Sequence, residues 1–240
     1  MTLAQVVVLV GRPWGTRFAA RTGMDVTRSR HLSDWIGFIC FSTLAFITLS
    51  RISAVTLLLL PTISFELLIA VSFLIREPPR AAVRTPRARL TAYSGTFLIM
   101  VFVQIARQFQ PEWLLPTQSD ALRATGALLW LTGFVWATYS VWYLRHAFSI
   151  EPQARRLITS GPYGVARHPV YTGYSLQYIG MWFLFPTTLF GVVLIGWLLL
   201  TAGRIQLEEQ VLSRTFPEYV DYRRRVAPLG AVRFRRPARA

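Results

Sequence analysis

The sequence predicts an all-α fold: a polytopic membrane helical bundle of about six transmembrane helices with a C-terminal cytoplasmic helical extension. Apolar runs of about 17 to 25 residues, the length that crosses a bilayer, recur along the 240 residues. Only 15% of residues are charged, whereas a soluble domain is nearer about a quarter. The basic residues, moreover, fall in alternate loops. All 26 are arginine, and only Arg51, Arg107 and Arg123 lie outside the segment before the first span, the loops 76–89 and 145–168 and the tail from 204. Six spans put those arginine-rich segments on one face, as the positive-inside rule expects.

The spans fall at 33–50, 54–75, 90–106, 121–144, 169–185 and 187–203. Ahead of them, "LAQVVVLV" is only eight residues with no basic residue before it, so it reads neither as a span nor as a complete signal peptide. The loop "REPPRAAVRTPRAR" (76–89) is expected to be extended, since paired prolines disfavour helix. On the opposite side, the loop 107–120 places Trp113 between prolines, which suits an interfacial position. Phe185-Pro186-Thr187 closes a tight hairpin between the last two spans. From Trp197 to Phe216 there is no breaker, so the sixth helix is expected to continue into the cytoplasm. Pro217 ends it and opens a short helix, "PEYVDYRRRV".

The net charge of +15 invites a nucleic-acid reading, but its distribution makes it a signal of topology and of attraction to anionic lipids. No nucleic-acid partner is expected. The lone Cys40 rules out a disulfide within the chain. The three histidines, 31, 146 and 168, lack metal-ligand spacing, so no metal site is expected.

Polar chemistry concentrates at two places. Pro169 suits the first position of the fifth helix, whose free N–H groups and positive end favour a carboxylate. Arg167 and His168 add side-chain donors beside it, although alone they read as a lipid-phosphate contact and a helix cap. Arg204 and Glu208, four apart with Glu209 adjacent, share a helical face. The hairpin 169–203 returns the chain to the same side, which lets His168 and Arg204 be neighbours. Tyr219 and Tyr222, three apart, are available to add aromatic contacts or to anchor at the interface.

The run "LITSGPYGVARHPVYTGY" (157–174), then "RIQLEEQVL" and "FPEYVDYRRRV", closely resembles the isoprenylcysteine carboxyl methyltransferase family, which is related to membrane phospholipid methyltransferases. The resemblance covers roughly 155–226. It implies an enzyme dependent on S-adenosyl-L-methionine, with the cofactor held by Arg155, Arg156, Leu157 and Ile158, then Tyr163, then His168, Pro169, Val170 and Tyr171, and Glu208. Arg204 would be catalytic, orienting the nucleophile, and with Glu209 would face the substrate. The chain then reads as one membrane domain, with 1–144 on the substrate side, 145–226 as the methyltransferase core and 227–240 as a basic tail.

Methyl transfer from a sulfonium needs alignment and exclusion of water more than a nucleophilic residue. No G-x-G-x-x-G after a strand supports a soluble Rossmann enzyme. The acceptor stays open among a prenylcysteine-like carboxylate, a lipid amine and a lipophilic thiol. The all-arginine basic set points to a bacterial inner membrane, with both termini cytoplasmic. Two other readings remain: an NADPH-dependent membrane reductase of sterol-reductase-like architecture, and a transporter or scaffold. Glu66, inside the second span, is the feature that favours transport; its plainer reading is a hydrogen-bonded carboxyl in a helix–helix contact.

Overall fold

The computed structural model describes residues 26–50, 60–83, 85–106 and 119–230. "LAQVVVLV", Trp113 and the tail from 231 lie outside the described residues. Seven α-helices dominate: α1 (Val26–Leu49), α2 (Leu60–Ile75), α3 (Pro86–Ala106), α4 (Asp120–Leu144), α5 (Pro169–Leu184), α6 (Thr188–Thr215) and α7 (Tyr219–Arg225). The first six occupy the six apolar stretches of the sequence.

The ends of these helices follow from their residues. Pro86 opens α3 while the Thr85 hydroxyl accepts from the Ala88 N–H at 3.2 Å, so this helix starts inside the loop expected to be extended throughout. The Ser119 hydroxyl caps α4 by accepting from the Leu122 N–H at 3.4 Å, with Asp120 in the first turn. Thr187 caps α6 in the same way, accepting from the Phe190 N–H at 3.0 Å. Helix α6 runs unbroken to Thr215, as the lack of a breaker requires. Pro217 falls in the turn before α7 rather than within it.

One short strand pair accompanies the helices of this all-α fold. Ala81–Ala82 (β1) pairs antiparallel with Gln153–Ala154 (β2). The prolines that keep 78–79 out of helix leave the next residues free to take a partner strand.

Two helices, α4 and α6, are long and apolar enough to cross a membrane, and only 28% of each apolar window is buried. A core helix of a soluble protein would bury such a window. Leu128, Val135, Val192, Ile195 and Leu199 instead stand 60% or more exposed, which lipid accommodates and water does not. The chain is an integral membrane protein. Shorter apolar stretches lie at Asp34–Leu49 and Leu60–Ile75.

Helices α4 and α5 approach at backbone distance through glycines. A Cβ on Gly133 would lie 2.5 Å from the Gln177 nitrogen, and one on Gly180 would lie 2.4 Å from the Trp130 nitrogen. Small residues that admit such contact are the usual adhesive between helices where lipid removes the hydrophobic driving force. This pairing fixes α5, and hence the site at its start.

Candidate active site

Pro169 begins α5 and His168 caps it, so the polar segment before the helix is aimed by the helix itself. The N–H groups of Arg167 and His168 donate to the carbonyls of Ala227 and Pro228, each at 2.9 Å. Arg167 is buried, not turned out to lipid phosphates. Its Nη2 meets Glu209 at 2.6 Å, and its Nη1 donates to the carbonyls of Arg223 at 2.7 Å and Val226 at 2.8 Å. Arg167 thus latches the segment after α7 across the start of α5.

Glu208 is the hub of the adjoining cluster. Its Oε2 lies 3.5 Å from His168 Nδ1, and its Oε1 lies 3.6 Å from Arg204 Nε and accepts from the Tyr171 hydroxyl. The expected neighbourhood of His168 and Arg204 therefore exists, through a shared carboxylate. His168 stacks on Tyr171, and the Arg204 guanidinium sits 5.3 Å from the same ring. Arg204 is buried, and its terminal nitrogens are engaged: Nη1 donates to the Ala92 carbonyl at 3.2 Å and to Thr96 Oγ1 at 2.9 Å, Nη2 to the Ile150 carbonyl at 2.8 Å. Only Nε, among its donors, is buried without a hydrogen bond among the described residues.

Burial alone would lower the His168 pKa. Contacts to the carboxylates of Glu208 and Glu209 outweigh that and leave the imidazole raised above its ordinary value of 6.5. Burial raises the Tyr163 phenol well above the usual tyrosine range and pushes Tyr222 up to about 12. Near neutral pH these phenols are donors, not bases.

These groups border a cavity of about 320 Å³, within the range of small-molecule sites. Arg155, Arg156, Leu157 and Ile158 line it, as do Tyr163, His168, Val170, Tyr171, Arg204 and Glu208. Arg155 is buried and donates to the Glu77 carbonyl and to Gln153. Arg156 is exposed, 3.7 Å from Glu77. Two of the expected residues do not line the cavity. Pro169 serves as the first residue of the helix. Glu209, assigned to the substrate, points instead to the latch, where it meets Arg167, His168 at 3.3 Å and Arg223 at 3.3 Å. Adjacent residues on a helix point about 100° apart, and here that step turns Glu208 to the cavity and Glu209 to the latch.

Tyr219 and Tyr222 are buried in the cavity wall, not placed as interfacial anchors; the Tyr222 hydroxyl donates to the Tyr163 carbonyl. The Tyr219 hydroxyl is buried with no partner among the described residues. Other lining residues were not singled out from the sequence. Tyr174 and Tyr178 continue the face of Tyr171 at spacings of three and four, a signal that periodicity could have supplied. Phe41, Phe65 and Phe134 come from distant helices, and no local pattern marks them.

The fold and cavity define an integral membrane helical protein with a polar-ended site buried between helices. Residues 119–219 match the model of the phospholipid methyltransferase family. Over that stretch, less than half of the chain, the protein is similar to this family. Among curated proteins it is 30% identical over 119 residues to the nickel-cobalt-cadmium resistance protein NccN of Alcaligenes xylosoxydans xylosoxydans, covering 49% of this chain and 52% of that protein. It is 34% identical over 70 residues to the cobalt-zinc-cadmium resistance protein CzcN of Cupriavidus metallidurans, covering 29% of this chain and 32% of that protein. The matches thus span about half or less of these relatives. A solved structure of the eukaryotic intramembrane Ras methyltransferase, isoprenylcysteine carboxyl methyltransferase, aligns over 89% of each chain at 16% identity with a TM-score of 0.44.

Proposed function

We propose that the protein transfers a methyl group from S-adenosyl-L-methionine to a lipophilic acceptor at the cytoplasmic face of a bacterial inner membrane. The observation that carries this reading is one cavity with two characters. Its polar part is built from Arg167, His168, Glu208, Tyr219 and Tyr222; its remainder is walled by aromatic rings of α1, α2, α4 and α5. A charged cofactor and a greasy acceptor each find a matching wall. On this reading 145–226 forms the cofactor core and 1–144 supplies most of the acceptor side.

The residues present fit the cofactor. The unpartnered Tyr219 hydroxyl is a buried donor bordering the cavity, and Glu208 offers a carboxylate to an ammonium group. Arg155, Arg156, Leu157, Ile158, Tyr163, His168, Val170 and Tyr171 would complete the binding wall. When bound, S-adenosyl-L-methionine supplies an electrophilic methyl carbon on sulfur.

The protein's part is alignment and exclusion of water. The cavity residues would hold a lone pair of the acceptor in line with that methyl group, whose bonding pair would stay with the departing thioether sulfur. Arg204 faces Glu208 through Nε, its one donor without a hydrogen bond among the described residues, so the two side chains would orient the acceptor together. A carboxylate acceptor releases no proton. An amine or thiol does, and Glu208 is the carboxylate at hand to take it.

The test is direct binding by purified protein in lipid nanodiscs. Labelled S-adenosylmethionine is expected to bind saturably, more weakly in Glu208→Ala and Tyr219→Phe. Binding of NADPH in its place would favour a reductase, and binding of neither would favour a transporter or scaffold.

A further inference from the structure

We propose that Glu66 forms a second recognition point in this cavity, binding a hydroxyl or amine group of the lipophilic acceptor and selecting against acceptors that present a carboxylate there. The word "acceptor" rests on the methyl-transfer reading; the site itself rests on geometry.

Glu66 is buried in α2, within an apolar helix, and borders the cavity. The Thr48 hydroxyl of α1 donates to it, 3.1 Å from Oε2 and 3.5 Å from Oε1. That contact is the helix–helix pairing expected of a carboxyl in such a place, but it does not satisfy the group. One hydroxyl supplies one proton, whereas a carboxylate offers about four acceptor sites. Among the described residues no cation lies within ion-pair distance of Glu66. A carboxyl kept among hydrocarbon with so little compensation is costly, and such groups mark function more often than packing.

A second acceptor stands unanswered in the same wall. The Oε1 of Gln177 in α5 is buried with no partner among the described residues, and Gln177 borders the cavity. The terminal nitrogens of Arg204 are meanwhile in use, donating to the Ala92 carbonyl, Thr96 and the Ile150 carbonyl. Two acceptors of the deep wall, Glu66 and Gln177 Oε1, thus await donors, and a ligand complementary to them brings donors.

The depth separates this point from the polar end. Phe65 meets Tyr174 edge-on with ring centroids 5.8 Å apart, which sets this part of α2 level with Tyr174. Tyr174 is six residues beyond His168, roughly 9 Å along the helix at 1.5 Å per residue. Glu66 is thus placed to hold a different part of the ligand from the part that meets Glu208 and His168. The aromatic wall beside it, Phe65 against Phe134 and Phe134 against Trp130, excludes water and strengthens any hydrogen bond formed there.

The experiment measures equilibrium binding of radiolabelled dodecylamine, dodecanol and dodecanoate to nanodisc protein, for wild type, Glu66→Gln and Glu66→Leu, with S-adenosylmethionine titrated in parallel. Wild type is expected to prefer the amine and the alcohol over dodecanoate by about tenfold or more, the scale of one hydrogen bond to a charged group. Glu66→Leu should lose that preference. Glu66→Gln, which keeps an acceptor and the shape, should still bind the alcohol yet lose the amine's advantage. Cofactor affinity should hold in both variants. An unchanged order of affinities in Glu66→Gln, or a wild-type preference for dodecanoate, overturns the proposal. If S-adenosylmethionine fails to bind wild type while ligand preference follows Glu66, the methyl-transfer reading falls and the recognition site stands.

Discussion

Replacing Arg204 by alanine should destabilise the fold heavily, beyond any effect on chemistry. The side chain is buried, and it ties α6 to α3 through the Ala92 carbonyl and Thr96 Oγ1 and to the α4–α5 connection through the Ile150 carbonyl. Its removal leaves the Ile150 carbonyl without its donor, at about 1–3 kcal/mol for a buried group left unsatisfied, while the Ala92 carbonyl keeps the Thr96 hydroxyl. It also strips Glu208 of its neighbouring cation, and breaking a buried charge pair costs about 3–5 kcal/mol. These contributions overlap, so about 4 kcal/mol is a fair expectation, against a total stability of about 5–15 kcal/mol for a folded domain. Lysine keeps the charge and one nitrogen, but a compact ammonium cannot span three acceptors that a planar fork reaches together. Arg204→Lys should therefore fall between wild type and alanine. Thr96→Val, which removes one of the same contacts, should be markedly less damaging on the Arg204→Ala background than on wild type, because the two share one interaction. Thermal unfolding in detergent, followed by circular dichroism, measures all five proteins. An Arg204→Ala variant that melts like wild type yet has lost methyl transfer would refute the tethering role and return Arg204 to a purely catalytic one.

The imidazole of His168 provides a pH test. Its pKa is raised in the folded state by its two carboxylate neighbours despite burial, so its contribution to stability is complete below about 6.5, the ordinary histidine value, and fades as pH climbs through the raised folded value. Melting temperatures taken from pH 5.5 to 9 should fall across that window more steeply for wild type than for His168→Gln; parallel profiles would show that the pairs with Glu208 and Glu209 do not carry that energy. The α4–α5 contact is tested by two glycines. Gly133→Ala places a methyl group 2.5 Å from a backbone nitrogen, whereas Gly196 has nothing within 4 Å of an added Cβ, so the first should cost about 1–3 kcal/mol by overpacking and the second should be neutral or stabilising. Equal melting of the two variants would mean that the helices do not meet through their glycines.

What the sequence could disclose follows from how far apart the cooperating residues lie. Helix positions are local properties of apolar length, breakers and caps, and all six long helices lie where the apolar runs put them. The Arg204–Glu208 pair and the Tyr219–Tyr222 face are separated by a single helical turn, so periodicity alone exposes them. Glu209 shows the limit of such reading. It adjoins Glu208 in sequence and shares its chemistry, but the 100° step between neighbours on a helix turns one carboxylate into the cavity and the other into the latch with Arg167 and Arg223. Deciding which faces which way requires knowing that residues 226–228 fold back over the start of α5, and no pattern within α6 records that. The same holds for the deep wall. Glu66 stands out in its helix as a lone carboxyl, but its pairing with Thr48 and its sharing of one cavity with Gln177 depend on three helices meeting. A lone intramembrane carboxyl becomes a statement about ligand chemistry only once the donors around it have been accounted for, and here the decisive fact is that Arg204, the cation the sequence offers most readily, already has its terminal nitrogens engaged.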